Sequence, residues 1–403
     1  MSSTSDKYLQ RGVSSDKTEV HQAIKHLSKG LYPNTFCKII DNVWESNSDK
    51  AFIIHADGAG TKSSLAYIYW KETGDISVWK NIAQDAIVMN LDDILCSAFT
   101  NQFALSSTIG RNKQRIPGEV IAAIIQGTAD FCNTMKKYDV HIEYAGGETA
   151  DIGDLVKTIV VDSTMATFVH KKKVVPIDIQ KNDVIVGFAS YGRATYESEY
   201  NSGIGSNGLT MARHELFNKQ IAEKYPESYD TQLPSNVVYT GKYHVTDKIN
   251  LEYSYQQKLI KESASIGKLA LSPTRTYAPL LIQILQKFHS DIHGIIHCTG
   301  GGQTKVLHFL STPLRVIKNN LFPIPPLFKL ISEQNKDNYK ELYKVFNMGH
   351  RLEIYTNEST ALKMIDLAQQ FGIDAHIIGR VEQGVSPEVL IQSELGEFHY
   401  TKN

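Results

Sequence analysis

The chain has 403 residues, 42% apolar and 21% charged, with Lys+Arg 42 against Asp+Glu 43 and a net charge of −1. That length gives room for two domains with sizeable cores, and the near-neutral balance excludes a broad basic surface for nucleic acid. No apolar run approaches the ~18–20 residues that cross a bilayer, and the first residues lack an apolar signal core, so a cytoplasmic protein without membrane attachment is expected. Residues 1–30 are polar, with Tyr8 to Val13 ahead of a short helical pattern over 20–27. The apolar run 51–54 reads as a buried strand, and 64–70 as a helix. Between them lies His55-Ala56-Asp57-Gly58-Ala59-Gly60-Thr61-Lys62-Ser63. Its glycines allow close backbone approach or positive φ. A helix N-terminus favours negative charge, Lys62 adds a cation, and Asp57 supplies a hard oxygen suited to Mg²⁺. The stretch reads either as a triphosphate and magnesium loop or as a plain glycine turn with a solvated lysine.

Residues 79–96 form a helical pattern that carries Asp85, Asp92 and Asp93 in otherwise apolar surroundings. Asp85 and Asp92 stand seven residues apart and share a face. Asp93 lies about a hundred degrees round from Asp92. Acids there are expensive unless paired or bound to a cation, so capping, salt bridging and metal binding all stay open. Residues 106–113 read as a polar, basic surface loop. A helix over 118–138 leads to a strand at 140–144, which ends in Gly146-Gly147-Glu148-Thr149-Ala150-Asp151. This repeats the local design around Asp57, with a tight turn as the alternative. A β-branched strand at 156–168 and the turn Lys171-Lys172-Lys173 follow, and a domain boundary is expected near 170–180.

The second half opens with a strand at 183–190. Gly203-Ile204-Gly205-Ser206-Asn207-Gly208 precedes a helix at 209–216 and formally matches G-x-G-x-x-G. A dozen residues separate it from the strand, which argues against a dinucleotide fingerprint. Residues 218–262 read as a charged, tyrosine-rich surface elaboration. Leu271 to Tyr277, containing Arg275, leads into a helix ending at Phe288. The strand 293–298 runs into Thr299-Gly300-Gly301-Gly302 and a helix at 304–309, another cradle suited to anions. Phe346-Asn347-Met348-Gly349 precedes a strand, and the tail alternates a helix at 360–371 with strands at 375–381 and 389–391. Cys37, Cys96, Cys132 and Cys298 are far apart and read as buried thiols.

Taken in order, these motifs resemble the aminoimidazole ribonucleotide synthetase family, also called phosphoribosylformylglycinamidine cyclo-ligase. The Asp57-Gly-Ala-Gly-Thr-Lys62 and Gly146-Gly-Glu-Thr-Ala150 pieces mark the wider superfamily, whose members include formylglycinamidine ribonucleotide synthetase and thiamine-monophosphate kinase. Pro273-Thr-Arg-Thr-Tyr277 and Phe346-Asn-Met-Gly349 narrow it to the cyclo-ligase. The resemblance implies a two-domain subunit, α/β and α+β, divided as 1–175 and 176–403, with an insertion around 218–262. The first domain's sheet would form a barrel-like homodimer core beside an ATP cleft, and the second domain would be α+β. The implied reaction is ATP-dependent closure of formylglycinamidine ribonucleotide to aminoimidazole ribonucleotide, with release of ADP and phosphate.

The resemblance also assigns roles. Asp57, Asp93, Glu148 and Asp85 would hold Mg²⁺, with Asp151 as a further candidate, and Lys62 would sit on a phosphate oxygen. Asp57, Lys62 and Asp93 would form the catalytic set. Gly58, Gly60, Thr61, Gly146 and Gly147 would line ATP. Ser206, Asn207, Arg275 and Gly300, Gly301 and Gly302 would hold the substrate and its phosphate. The family usually carries His immediately before Ser-Asn-Gly, whereas this chain has Gly205, and His214 or His350 could take over. The chain is also longer than typical members, around 193–204 and 218–262. Another ATP-dependent enzyme of the superfamily, or a non-catalytic dimeric module, are the competing expectations.

Overall fold

A computed structural model defines the fold, described over residues 7–14, 18–336 and 338–402. Two short helices come first, α1 (Lys7–Gln10) and α2 (Thr18–Ile24). They are followed by β1 (Ile40–Asp41), β2 (Lys50–Gly58), α3 (Lys62–Thr73) and α4 (Val78–Leu95). Next come β3 (Gln102–Arg111), α5 (Gly118–Lys136), β4 (His141–Asp151) and β5 (Ile159–His170). These strands form an open five-stranded sheet in the order β1-β2-β5-β3-β4. Only β3 and β4 run parallel. Strand β5 alternates buried and outward residues along its length, the mark of a sheet covered on one face. Helices α4 and α5 supply that cover.

The second half contains β6 (Val184–Ala189), α6 (Leu209–Leu216), α7 (Gln220–Lys224), β7 (Lys248–Tyr255), β8 (Lys258–Ser265), α8 (Ile266–Ala270) and α9 (Ala278–Phe288). It continues through β9 (Ile292–His297), β10 (Leu314–Lys318), α10 (Pro326–Glu333), α11 (Tyr339–Val345), β11 (His350–Thr356) and α12 (Glu358–Gln370). It ends with β12 (Ala375–Gln383), β13 (Glu388–Ser393) and β14 (Gly396–Thr401). Seven strands make a mixed sheet in the order β14-β13-β10-β12-β6-β11-β9. Every residue of β11 is buried, as an interior strand covered on both sides requires. Helices α9 and α12 pack together, α12 also lies on β6, and α9 reaches back to α4. Strands β7 and β8 form a separate hairpin that carries the 218–262 elaboration on to Ser265.

Both hydrophobic clusters draw on both halves. One joins Leu65, Trp79 and Ile109 to Leu209, Phe328 and Ile378. The other joins Ile53, Leu91 and Met165 to Leu281, Ile295 and Leu352. Helix α4 is the shared element. From its buried face, Asp85 Oδ1 accepts from the Thr274 N–H (2.7 Å) and hydroxyl (2.6 Å). Two turns on, Asp92 accepts from the Thr276 hydroxyl (2.6 Å) and the Tyr277 N–H (2.9 Å). Tyr277 immediately precedes α9, whose first N–H groups lack intrahelical partners.

Three sequence expectations change. Residues 106–111 belong to β3 rather than a surface loop, and outward-facing polar residues on a half-covered strand account for the misreading. Gly146, Gly147 and Glu148 lie within β4, not in a turn at a strand end. A Cβ at Gly147 would collide with the Ser107 carbonyl, so this glycine serves close strand approach. The segment after Gly301 forms a 3₁₀ turn, Gly302–His308, not an α-helix.

Candidate functional site

A cleft of about 220 Å³ opens where β2, α4, the start of α6 and the glycine turn after β9 meet. Asp57, Asp93, Asn207, Gly300 and Gly301 are among the residues that line it. These five residues come from four separate stretches of the chain.

Asp57 stands at the end of β2, where Gly58 N–H donates to its Oδ1 (2.7 Å). The strand end is fixed by Asn90 of α4, whose Nδ2 donates to Ser163 Oγ (2.9 Å) and the Ala86 carbonyl (3.0 Å). With that amide so oriented, Asn90 Oδ1 accepts from His55 Nδ1 (2.8 Å). Asp93 is 7% exposed. Its Oδ1 lies 2.6 Å from His297 Nδ1 and its Oδ2 lies 3.8 Å from His55 Nε2. The glycine turn is set by Gly301 and Gly302, at φ +96° and +50°. A Cβ on Gly302 would lie 2.6 Å from the Tyr343 carbonyl. Below the turn, Gln303 donates to the carbonyls of Asn347 (2.5 Å) and His350 (3.0 Å). Lys318 donates to the Gln303 carbonyl (2.7 Å) and pairs with buried Glu353. His350 Nε2 (2.9 Å) and Tyr355 OH (2.9 Å) close on the same carboxylate. Burial pushes the Glu353 carboxyl up, but Lys318 and His350 outweigh it and hold it down at about 2.

Several expected site residues lie elsewhere. Lys62 is wholly buried, and its ammonium bonds Asp85 (2.8 Å) and the Ser272 carbonyl (2.5 Å) instead of facing a phosphate. Burial is the main reason its pKa falls. Asp85 is likewise a buried joint between the halves, not a cleft ligand. Arg275 is buried and grips Glu197 through Nε (3.0 Å) and Nη2 (2.5 Å), with Nη1 on the Ala189 and Tyr191 carbonyls. No guanidinium edge remains for a substrate phosphate.

Glu148 sits three strands from Asp57, about 14 Å at ~4.8 Å per spacing. The cross-strand register puts it in the row of Thr108, Asp162 and Gly58, on the opposite face from Asp57. Gly146 and Gly147 lie on the same distant strand and do not line the cleft, although Gly147 shares the row of Ser107, Ser163 and Asp57. Asp151 pairs with Arg111 (2.8 Å). Thr61 spends its hydroxyl across the joint on Thr210 (2.8 Å), and Ser206 spends its own on Thr274 within the second half (3.2 Å). Gly60 takes φ +57°, and a Cβ on Gly58 would collide with Asp162.

The sequence reading missed the cleft's basic side chains, Lys305, His308 and Lys344, and its Tyr8 and Ser14. Only the spacing of Lys305 and His308 behind the triple glycine hinted at them. Tyr8 is brought there by buried Arg11, which pairs with Glu215 (2.6 Å) and donates to the Val237 carbonyl (2.8 Å). Neither histidine suggested for position 205 lines the cleft. His214 accepts from the Tyr239 N–H (3.1 Å), and burial pushes its pKa down to about 2. Among the described residues no group of three or more His, Cys, Asp or Glu side chains is set to hold a metal ion. Two hard carboxylates, Asp57 and Asp93, nonetheless suit Mg²⁺, which takes one or two carboxylates with phosphates and water completing its shell.

Residues 39–169 match the family model for the AIR synthase related protein N-terminal domain, and residues 180–392 match the model for the C-terminal domain. The chain belongs to the AIR synthase related family. AIR synthase related relatives named phosphoribosylformylglycinamidine cyclo-ligase include one from Alkaliphilus metalliredigens, 26% identical over 347 residues, covering 83% of this chain and 81% of the relative. Another, from Brevibacillus brevis, is 23% identical over 393 residues and covers 94% and 96% of the two chains. Among solved structures, AaThiL complexed with AMPPCP and TMP aligns at TM-score 0.53 and 12% identity, over 95% of each chain. The hydrogenase maturation protein HypE aligns at TM-score 0.50 and 11% identity, over 89% of this chain and 90% of that one. These likenesses establish the AIR synthase related fold. No helix among the described residues is long and apolar enough to cross a membrane.

Proposed function

We propose that this AIR synthase related protein is a phosphoribosylformylglycinamidine cyclo-ligase, converting formylglycinamidine ribonucleotide and ATP to aminoimidazole ribonucleotide, ADP and phosphate. The observation that carries this reading is the convergence of Asp57 and Asp93 with Asn207, Gly300 and Gly301 on one cleft, in a chain whose relatives bear that name. Asp57 and Asp93 hold Mg²⁺, which neutralises triphosphate charge when bound. Gly58, Gly60 and Thr61 give the nucleotide a close backbone edge. Asn207 and the glycine turn hold the substrate, and Lys305, His308 and Lys344 attract its ribose phosphate.

An amide oxygen is a poor leaving group. Transfer of the γ-phosphoryl group to it forms an imidate phosphate, and attack by the amidine nitrogen closes the ring and expels phosphate. The protein's part is positioning and electrostatics. We further propose that the two halves divide near residue 175 and that two copies pair through the uncovered face of the first sheet. There Ile54 and Phe168 are 56% and 46% exposed, and Trp44 packs edge-on to Phe52 and Phe168. Pairing of two such sheets would give the barrel-like core.

The deciding experiment is ADP release by the purified protein with formylglycinamidine ribonucleotide, with product identified by mass spectrometry. Release only with a different amide substrate would replace the assigned reaction, and no turnover with any would leave a binding module. Sedimentation velocity tests the dimer. A monomer at micromolar concentration removes the pairing.

A further inference from the structure

We propose that His297 and Arg351 are positioning residues that hold Asp93 with one carboxylate oxygen turned to the cleft. The proposal rests on the reading of Asp93 as a magnesium–nucleotide ligand. His297 is fully buried between two partners. Arg351 Nε lies 3.0 Å from its Nε2, and Asp93 Oδ1 lies 2.6 Å from its Nδ1. A guanidinium only donates, so Nε2 must be the acceptor and the imidazole proton must sit on Nδ1. That fixes one tautomer. It also commits Oδ1 of Asp93 to the Nδ1–H, leaving Oδ2 on the side of His55 and the cleft. A carboxylate constrained in this way does not need to reorient when a cation arrives.

Arg351 is itself held firmly. Nη2 donates to the Arg275 carbonyl, and the guanidinium carbon lies 5.6 Å from the centre of the Tyr277 ring. Arg275 and Tyr277 belong to the segment that Asp85 and Asp92 tether to α4. The same helix therefore carries Asp93 and anchors the frame that orients it. The remaining nitrogen, Nη1, is buried with no hydrogen-bond partner. It points at Gly205, where an added Cβ would lie 3.0 Å away. Gly205 also has φ +67°. A side chain at 205 would press on the arginine at 351, and the positive φ there favours glycine.

The test compares Mn²⁺ binding in the presence of AMPPNP, by electron paramagnetic resonance titration, with ADP release measured alongside. His297→Asn keeps a donor near the Nδ1 position, whereas His297→Gln reaches towards Arg351 and leaves Asp93 Oδ1 unpaired. Removing an outer partner of a metal ligand lowers affinity by roughly 10–100-fold. His297→Gln is expected to weaken Mn²⁺ at least ~10-fold and His297→Asn far less, with both melting cooperatively. Equal affinities, or equal losses, overturn the proposal. Arg351→Lys keeps the charge without the Nε–H geometry and provides the second test, needed if the histidine variants do not fold. Like His297→Asn it keeps the donor to Asp93 but loses the Arg351 contact, so it should weaken Mn²⁺ several-fold, less than His297→Gln, and wild-type affinity in it overturns the proposal. Failure of the wild-type protein to bind Mn²⁺–AMPPNP would instead overturn the nucleotide reading on which the proposal stands.

Discussion

On helix α4 a rotation of about a hundred degrees separates Asp92 from Asp93, and that rotation divides structure from chemistry. Asp85 and Asp92 point into the joint and satisfy backbone donors of the 272–277 segment. Asp93 points to the cleft. Removal of Asp57 or Asp93 should therefore act on turnover, and removal of Lys62 on folding. Asp57→Asn is expected to lower kcat by roughly 10²-fold or more, with a thermal transition close to wild type. Wild-type turnover would take Asp57 out of the site. Lys62→Ala strands Asp85, whose Oδ2 is already unpartnered. Breaking such a buried pair costs about 3–5 kcal/mol. Chemical denaturation should show that loss, and a stable variant with only a raised KM for ATP would return Lys62 to the phosphate.

At the scale of elements, the fold relies on segments that gain their order from one another. Helix α1 is only four residues long and has no buried residue of its own, too short to persist alone. It is placed by Arg11 against Glu215 and by the Tyr8 N–H on Glu341 (3.1 Å). Arg11→Met should free this arm from the cleft wall. The expected outcome is a several-fold rise in substrate KM together with a stability loss of about 3–5 kcal/mol from the unpaired Glu215. Steady-state kinetics and denaturation check the two parts separately. The joint between α4 and residues 274–277 makes a second such unit. Asp92→Asn and Thr276→Val touch one hydrogen bond (2.6 Å), so a double-mutant cycle should give a coupling of about 0.5–3 kcal/mol. Additive losses would show that the two residues stabilise α9 independently.

For the whole molecule, the Lys318–Glu353–His350 centre ties acid stability to the glycine turn. The folded Glu353 carboxyl is held at about 2, below its ordinary value of 4.5. A depressed carboxyl contributes stability that is complete above the unfolded value and is lost as pH falls towards the folded one. The loss should therefore occur between pH 4.5 and about 2. Denaturation midpoints of Glu353→Gln and wild type, measured from pH 6 to 3, should converge as the pH falls. A constant gap would remove Glu353 from the acid response.

Local signals carried much of this protein's organisation. The strand before Asp57, helices α3, α4, α5, α6 and α9 and the glycine turn were legible because periodicity and glycine placement act over a few residues. The ordered motifs were likewise sufficient to suggest the family that the domain matches establish. What the residues alone could not decide was which polar groups face each other. Lys62 and Arg275 have the right chemistry for phosphate, yet packing buries both and each takes a carboxylate partner from a distant part of its own half. Gly147 and Glu148 looked like a loop until they proved to be strand residues three strands from Asp57, with Glu148 on the opposite face. Arg351 and Gly205 are 146 residues apart in the chain, so their shared space exists only after folding. Sequence determined the elements and the kinds of group available, because those depend on near neighbours. Tertiary structure decided which groups are consumed in holding the molecule together and which remain at the cleft, because burial and partnership are set by contacts between distant segments.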